Sequence, residues 1–199
     1  MLMQSAENFH NDAPVGEGRI DVICGPMFSG KTGELIKRVG QARSEGKRVV
    51  VIKPSIDTRY SRKKVVSHDK IEVEAVVVGE SREIMGAVQH ADIVAIDEVQ
   101  FFDEGIVDVC RELANKGLKV VVCGLDLDSN GSPFGSMPGL LVYADEVVKL
   151  QAVCSQTGGP ARFTFRHSGG NDTVELGESD IYMPLSRRAF LKEMNKEAK

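Results

Sequence analysis

The sequence lacks the features of secreted, membrane-spanning and nucleic-acid-coating proteins. No apolar stretch is long enough for a signal peptide or a membrane span, and residues 1–18 mix Asn, Asp, Glu, Pro and Gly, which predicts a loose N-terminal arm. The formal net charge of -4 disfavours a general affinity for nucleic acid, because a phosphate-tracking surface needs clustered positive charge. The one compact basic run, Arg62-Lys63-Lys64, is interpreted as a solvated loop. We therefore expect a small-molecule partner, with no nucleic acid and no membrane.

Paired cysteines are also missing. None of the 4 cysteines forms a C-x2-C pair, and three of them lie inside apolar runs: Cys24, Cys110, Cys123 and Cys154. Because disulfide frameworks need paired cysteines in an oxidising compartment, this pattern favours buried free thiols in a reducing cytoplasm. With 199 residues, 42% of them hydrophobic and 27% charged, the chain is predicted to form one main globular domain with room for a small appendage.

What the sequence does contain is an alternation of short apolar runs and helical patterns. Four β-branched runs are predicted as buried parallel strands: Ile20 to Cys24, Val49 to Lys53, Ile93 to Ile96 and Val120 to Gly124. A helix is predicted over Lys31 to Ser44, and an amphipathic crossover helix is predicted where apolar residues fall at i, i+3, i+4 and i+7: Ile106, Val109, Cys110 and Leu113. This order predicts an α/β nucleotide-binding fold of the P-loop NTPase type, with a parallel sheet flanked by helices.

The chain changes character after the apolar run Val147 to Val153. Gly158-Gly159-Pro160 is followed by the alternating run Phe163-Thr164-Phe165, a further Gly-Gly pair and a final helical pattern. We interpret this part as a small appended β-containing lobe. The predicted organisation is an arm over 1–18, an α/β domain over 19–153 and a lobe with a C-terminal helix over 154–199.

The strongest local signal is a Walker A spacing directly after the first predicted strand: Gly25, Pro26, Met27, Phe28, Ser29, Gly30, Lys31 and Thr32. Glycines let the backbone curl so that successive N–H groups face anionic oxygens, and the next helix points its positive end at them. Lys31 is expected to reach the β- and γ-phosphates, and Thr32 is expected to hold Mg²⁺ through its hydroxyl. The segment therefore predicts a nucleotide triphosphate site.

Two carboxylates, Asp97 and Glu98, follow the third predicted strand, at the sheet edge where α/β proteins bind ligands. Asp97 is expected to support Mg²⁺ through water, and Glu98 is expected to accept a proton from an attacking hydroxyl. The pair alone leaves three alternatives open: a kinase, an ATPase motor or regulator in which Glu98 activates water, and a nucleotide sensor without turnover. A guanine-specific switch is disfavoured because Asn115-Lys116 is followed by Gly117-Leu118, which breaks the N-K-x-D pattern.

Several motifs, taken together in this order, resemble the cellular and bacterial P-loop thymidine kinases. They are Gly25 to Thr32, Ile52 to Ser61, Ser67-His68-Asp69, Asp97 to Phe102, and Gly124-Leu125-Asp126. The resemblance extends from Arg19 to Phe190. It implies transfer of the γ-phosphate of ATP to the 5′-hydroxyl of thymidine, and of deoxyuridine as a second candidate, for nucleotide salvage and DNA synthesis.

The same resemblance implies roles for individual residues. Glu98, Lys31 and Arg59 would be catalytic, and Asp57, Asp97 and Gln100 would join the loop at the nucleotide. Thymidine would be bound by a larger set: Met27, Phe101, Leu125, Phe134, Thr173, Val174, Glu175, Leu176, Gly177 and Tyr182. Relatives of this kind are commonly tetramers inhibited by thymidine triphosphate, so a homo-oligomer with feedback is implied as well. Without the resemblance, Asp57 to Ser61 is only a polar loop.

The sequence departs from the family at two places. Many relatives hold the small lobe with zinc between two C-x2-C-like pairs, whose positions here are Cys154, Thr157, Ser186 and Ala189. Since one thiolate does not build a tetrahedral zinc site, we predict no structural zinc. At the second place, Ser129 stands where an aromatic wall of the base pocket is expected. We therefore expect the nucleoside preference or affinity to differ from that of the family.

Overall fold

The computed structural model describes residues 17–57, 64–66, 71–167 and 181–197. Its elements follow in this order: β1 (Arg19–Cys24), α1 (Lys31–Ser44), β2 (Val49–Pro54), β3 (Lys64–Val66), β4 (Glu72–Glu74), β5 (Val76–Val78), α2 (Glu83–Ala87), β6 (Ile93–Ile96), a 3-10 turn (Val99–Phe101), α3 (Ile106–Asn115), β7 (Lys119–Gly124), α4 (Met137–Tyr143), β8 (Glu146–Lys149), β9 (Ala152–Val153), β10 (Pro160–Ala161), β11 (Phe163–Arg166), β12 (Tyr182–Leu185) and α5 (Arg187–Glu197).

The centre of the molecule is a 6-stranded sheet in the order β5-β2-β6-β7-β1-β8. All five neighbouring pairs are parallel. The four strands predicted from apolar runs are all present in it, and β6 has the predicted bounds Ile93–Ile96. Because β1, β6 and β7 run parallel, the loop after β1 and the residues after β6 and β7 reach the same edge of the sheet. The α/β fold class predicted from the sequence is confirmed.

Helices cover both faces of this sheet, and each face has its own apolar cluster. On one side α3 buries the four residues predicted for its apolar stripe, Ile106, Val109, Cys110 and Leu113. On the other side α1 buries Leu35 and Val39, whereas Ile36 is only partly buried. Branched aliphatic side chains from parallel strands fill both clusters, since strands covered on both faces carry apolar residues throughout. In the described ranges, no helix is long and apolar enough to cross a lipid bilayer.

One buried carboxylate interrupts the apolar run of β1. Asp21 is fully buried, and its oxygens pair with Arg19 at 2.7 Å, with Lys119 at 3.2 Å and with Arg38 of α1 at 3.3 Å. Arg19 and Arg38 also contact Glu146 on β8, each at 3.0 Å. A buried charge needs such partners because its desolvation is otherwise expensive. The network joins α1 to β1, β7 and β8 at the amino ends of these strands, opposite the edge where the loop after β1 lies.

The C-terminal part forms a smaller cluster of its own around two short antiparallel ladders, β9 with β10 and β11 with β12. Its buried members are Ala152, Cys154, Ala161, Phe163, Phe165, Leu185, Ala189 and Phe190. The Phe163 and Phe190 rings stack with centroids 4.6 Å apart, and Phe165 meets Phe190 edge to face at 6.3 Å. Aromatic residues of β11 and α5 therefore form much of this cluster, whereas aliphatic residues form most of the two clusters of the α/β part.

Candidate active site

The loop between β1 and α1 has the backbone shape of a phosphate cradle. Three of its residues have positive φ: Gly25 at 142°, Phe28 at 64° and Gly30 at 83°. At Gly25 a side chain has no room, because a Cβ there would lie 2.4 Å from the Leu150 carbonyl oxygen. Left-handed residues among right-handed ones turn successive N–H groups toward a common centre, which favours anions. Gly30 caps α1, so the positive end of that helix faces the same centre.

Lys31, Thr32 and Asp97 meet at this loop. Lys31 is 8% exposed, and its ammonium donates to the Pro26 carbonyl oxygen at 2.8 Å. Thr32 Oγ1 donates to Asp97 Oδ2 at 3.4 Å, which joins α1 to the end of β6. Hydroxyl and carboxylate oxygens are hard ligands of the kind that Mg²⁺ prefers. The chemistry of this donor pair fits the metal predicted from the sequence.

Glu98 has an unusual backbone. Its φ of 50° and ψ of 41° lie in the left-handed region, which non-glycine residues adopt at a cost of about 1–2 kcal/mol. The next residues form one 3-10 turn, with Phe101 N donating to the Glu98 carbonyl at 3.1 Å. Glu98 is 8% exposed, and Gln100 Nε2 donates to its Oε2 at 2.6 Å. The turn thus presents the second carboxylate beside the first, at the sheet edge that also holds the loop.

A second buried pair lies at the end of β2. Lys53 and Asp57 are 2% and 7% exposed, and their charged atoms are 3.0 Å apart. The sequence argument named Asp57 and left out Lys53, although the i,i+4 spacing of opposite charges after a strand was visible. Arg59, the other residue predicted here, lies outside the described residues.

Four of the predicted thymidine-binding residues are partly exposed apolar side chains. Met27, Leu125, Phe101 and Phe134 are all half-buried. The rings of Phe101 and Phe134 meet edge to face, with centroids 5.6 Å apart and planes at 90°. Flat pyrimidine bases pack on surfaces of this kind.

Tyr182 lies on β12 of the small lobe and is 8% exposed. The predicted segment Thr173 to Gly177 lies outside the described residues. A contact that the sequence did not indicate links the two parts of the molecule: the Met27 N–H donates to Thr164 Oγ1 on β11 at 3.0 Å. Thr164 itself is 3% exposed. The lobe therefore contacts the phosphate loop directly.

Asp126, at the end of β7, is a further buried carboxylate that the sequence argument gave no role. It is 6% exposed, and Lys149 Nζ lies 2.6 Å from Oδ2. In the described part of the chain, its oxygens have no well-aligned hydrogen bond, so the contact is an ion pair rather than a directed bond. Burial and then the charge of Asp126 raise the pKa of the nearby Cys24 thiol to about 11, so Cys24 stays neutral.

The family's zinc positions do not fit zinc here. Cys154 contributes one sulfur, Thr157 and Ser186 contribute hydroxyls, and Ala189 contributes a methyl group. Structural zinc needs four nitrogen or sulfur ligands in a tetrahedron. Among residues 17–57, 64–66, 71–167 and 181–197, no group of three or more His, Cys, Asp or Glu side chains is placed to hold a metal ion. The absence of zinc stays a prediction.

The Cys154 sulfur accepts a hydrogen bond from the Ser186 N–H at 3.2 Å instead. Burial acts to raise the pKa of this thiol, but the Thr157 hydroxyl and the N–H groups of Ser186 and Gln156 outweigh it and lower the pKa to about 6. Hydrogen bonds thus tie the turn after β9 to the start of α5, at the place where relatives of the family use a metal.

Comparison with known proteins identifies the same family. The family model described as thymidine kinase matches residues 18–190. A thymidine kinase of Bacteroides thetaiotaomicron is 49% identical over 175 residues, which cover 88% of this chain and 88% of that protein. One from Porphyromonas gingivalis is 46% identical over 186 residues, covering 94% and 91% of the two chains. Given this match over nearly the whole length, together with the loop and the carboxylate pair, the chain belongs to the thymidine kinase family.

Proposed function

We propose that this member of the family transfers the γ-phosphate of ATP to the 5′-hydroxyl of thymidine, for nucleotide salvage. One observation carries the proposal: Thr32 of the phosphate loop bonds to Asp97 at 3.4 Å, which sets the Asp97-Glu98 pair beside the nucleotide site. The relatives named thymidine kinase support the choice of nucleoside. Deoxyuridine, which differs by one methyl group, is the second candidate substrate.

The loop and Lys31 act on the phosphates. Backbone N–H groups of the cradle bind the anionic oxygens, and the Lys31 ammonium leaves the Pro26 carbonyl to contact the β- and γ-phosphates. Thr32 and Asp97 would hold Mg²⁺, which when bound neutralises charge on the phosphate oxygens. Arg59, as the resemblance implies, completes the positive side of the site. Phosphoryl transfer has a loose transition state, so positioning and charge neutralisation supply most of the catalysis.

Glu98 acts on the acceptor. The 5′-oxygen of thymidine forms a bond to the γ-phosphorus while the bond from that phosphorus to the β,γ-bridging oxygen breaks, and ADP leaves with the electron pair. The hydroxyl proton passes to the Glu98 carboxylate, which orients the alcohol for in-line attack. Thymidine monophosphate and ADP are the products.

The base pocket is proposed from the apolar side chains of Met27, Leu125, Phe101 and Phe134, together with Tyr182. Backbone groups of the segment Thr173 to Gly177 would bond to the polar edge of thymine, as the resemblance implies. A pocket whose buried donors and acceptors lose their partners with the wrong base rejects that base strongly. As the resemblance implies, Ser129 stands in place of an aromatic wall of this pocket, so nucleoside preference or affinity is expected to differ from that of the family.

Nucleoside-dependent ADP release tests the proposal. Purified protein with MgATP is assayed with thymidine, deoxyuridine, deoxycytidine and a purine deoxynucleoside, and without any nucleoside. A kinase releases ADP only when nucleoside is present, an ATPase releases it in all samples, and a nucleotide sensor releases none. We expect the highest kcat/KM with thymidine; preference for deoxycytidine or the purine would limit the proposal to the reaction class.

Three further properties are proposed on the family resemblance. The enzyme is a homo-oligomer, a tetramer as its relatives commonly are, and thymidine triphosphate inhibits it as an end product. It acts in the cytoplasm, in keeping with four cysteines that are all free and buried. Light scattering of the purified protein and a titration of activity with thymidine triphosphate test the first two.

A further inference from the structure

Gln100 contacts the Glu98 carboxylate from the turn that follows β6. It is 3% exposed and uses both ends of its amide: Nε2 donates to Glu98 Oε2 at 2.6 Å, and Oε1 accepts from the Leu125 N–H at 3.1 Å. The second bond crosses from the turn after β6 to the end of β7. The Glu98 carboxylate is thereby tied to the backbone of a neighbouring strand.

The amide has one satisfactory orientation. A flipped Gln100 would set its oxygen against the Glu98 carboxylate and its NH₂ group against the Leu125 N–H, so that both contacts would be repulsive. A donor to a carboxylate belongs to the stronger, charge-assisted class of hydrogen bonds. The Nε2 end of the Gln100 amide therefore faces the Glu98 carboxyl group.

Glycines leave the room that Gln100 occupies. A Cβ at Gly124 would lie 2.6 Å from Gln100 Oε1, and a Cβ at Gly135 would lie 2.5 Å from the Gln100 carbonyl oxygen. Gly135 also has φ 48°, in the left-handed region. Gly124 at the end of β7 and Gly135 in the loop before α4 thus lie so close to Gln100 that a Cβ at either position would require a shift, and they constrain the turn that carries Glu98.

We infer that Gln100 is a positioning residue that holds the Glu98 carboxylate in its catalytic orientation through the bond from Nε2 to Oε2. The inference rests on the proposed function, in which Glu98 accepts the proton. Glu98 has a left-handed backbone, which is costly for a residue with a side chain, and the bond from Gln100 Nε2 is one of the contacts that hold its carboxylate. A nucleotide contact by Gln100, as the family resemblance implies, predicts a different result when the residue is changed.

The test is a double-mutant cycle with Glu98→Gln and Gln100→Met, in which Met keeps the length of Gln without its donor and acceptor. Glu98→Gln should lower kcat by about 10²- to 10⁴-fold. Gln100→Met should lower kcat by about 10- to 100-fold, because small misplacements of a catalytic group have effects of that size. KM for thymidine and the affinity for MgATP should change by less than about threefold, and the double variant should be no slower than Glu98→Gln by more than about threefold.

The possible outcomes distinguish the positioning role of Gln100 from a nucleotide contact and from the role of Glu98 itself. Wild-type kcat in Gln100→Met, or losses that multiply in the double variant, overturns the positioning role while leaving the proposed function intact. A loss of ATP affinity with kcat preserved replaces it with the nucleotide contact. Unchanged turnover in Glu98→Gln removes Glu98 from the proposed mechanism and the inference with it.

A second variant guards against misfolding. Gln100→Leu removes the same donor with an apolar side chain of a different shape, so it should slow turnover like Gln100→Met, and both variants should bind MgATP with near wild-type affinity, which shows that they are folded. Gln41→Met is the matched control, because Gln41 Nε2 donates to Glu45 Oε1 at 3.0 Å in the same chemistry on the exposed face of α1. Gln41→Met should leave kcat unchanged. An equal loss of kcat in Gln41→Met would show that the double-mutant cycle does not report on the contact between Gln100 and Glu98.

Discussion

The α/β part and the C-terminal lobe bury their apolar residues in different ways. In the α/β part, six parallel strands lie between two clusters of branched aliphatic residues, and most positions are covered by helices on both sides. In the lobe, two-stranded ladders share one cluster whose largest members are Phe163, Phe165 and Phe190. Isolated two-stranded ladders are marginally stable, so the lobe depends on these few contacts more than the sheet depends on any of its own.

The α/β part and the lobe also differ in the polar groups that they bury. Three buried charges of the α/β part, Lys31, Asp97 and Glu98, lie at the sheet edge beside the phosphate loop, whereas Asp21 lies at the opposite side with its ion-pair partners. The lobe instead uses Cys154 as a hydrogen-bond acceptor within its own framework. The comparison teaches that the groups proposed to act on the phosphates lie in the α/β part, whereas the lobe, which would add Tyr182 to the base pocket, is held by a small aromatic cluster and one sulfur.

The largest expected effect is a loss of ATP affinity and of turnover, with no change in the stability of the lobe. Lys31→Ala should abolish the favourable contact with the phosphates, so that ATP affinity falls and kcat drops by about 10²- to 10³-fold, as for other preorganised charged donors. Calorimetry with MgATP and steady-state kinetics measure the two effects. Lys37→Ala on the same helix, with a side chain 76% exposed, is the control and should change neither. Intact ATP affinity in Lys31→Ala would contradict the assignment of Lys31 to the phosphates.

The next effect is expected in the lobe alone. Leu185 on β12 is fully buried, and Leu191 on α5 is 54% exposed, so the same substitution tests the lobe cluster at two depths. Leu185→Ala should lower the free energy of unfolding of the lobe by about 2–5 kcal/mol, and Leu191→Ala should lower it by less than about 0.5 kcal/mol.

Hydrogen exchange separates the two regions in these variants. Amides of β11, β12 and α5 should lose protection in Leu185→Ala, while those of β1, β6 and β7 keep it and MgATP still binds. Equal loss of protection in the sheet would mean that the two parts unfold as one unit.

The same contrast explains what the sequence predicted. Lys31 to Ser44 forms α1 with the predicted bounds, since helical periodicity and the glycines around it are local signals. The run Val147 to Val153, by contrast, divides between β8 of the main sheet and β9 of the lobe. Apolar content does not reveal where a chain leaves one sheet for another. The short strands β3, β4 and β5 were also missed, because three residues give too little alternation to count.

In the site, motif spacing named Lys31, Thr32, Asp97 and Glu98, and the structure brings Thr32 and Asp97, 65 residues apart in sequence, within 3.4 Å of each other. The contacts that hold them come from distant parts of the chain. Thr164 bonds to Met27 across 137 residues, and the Leu125 N–H bonds to Gln100 across 25. No local pattern contains such pairs, so the sequence named Gln100 only for a nucleotide contact, and its bonds to Glu98 and Leu125 came from the structure.

A smaller effect should appear in the pH dependence of lobe stability. The Cys154 pKa is about 6 in the folded protein against an ordinary value of 9.0, because its hydrogen bonds outweigh burial. A folded pKa below the unfolded one means that the thiolate contributes stability in full above about pH 9, and that this contribution is lost as the pH falls through about 6. The difference in unfolding free energy between wild type and Cys154→Ala should therefore grow as the pH rises across that window.

Cys110→Ala is the matched control for this experiment. Burial raises the pKa of the Cys110 thiol to about 12, so its removal should destabilise the protein equally at all pH values in the window. Ultraviolet absorbance of thiolate should likewise titrate with a midpoint near 6 in wild type and not in Cys154→Ala. Parallel pH profiles for the two variants would show that Cys154 stays a neutral thiol.

The smallest expected effect is that of a metal chelator, which should leave the unfolding temperature of the lobe unchanged. Purified protein should contain well under one zinc per chain, because Thr157, Ser186 and Ala189 offer no thiolate or imidazole to join Cys154. Metal analysis that finds one zinc per chain would overturn this prediction.

A gain-of-metal variant tests the same point in the other direction. Thr157→Cys, Ser186→Cys and Ala189→Cys together restore four sulfurs at the family positions, at the expense of the Ser186 hydroxyl that accepts the Ala189 N–H at 3.4 Å at the start of α5. If the lobe retains the backbone of a zinc site, this variant binds zinc and its unfolding temperature becomes sensitive to chelator. If it does not bind zinc, the hydrogen bonds of Cys154 have reshaped the turn rather than replaced the metal within it. Either result shows whether the hydrogen bonds of Cys154 hold the turn after β9 and the start of α5 in the arrangement that zinc would give them.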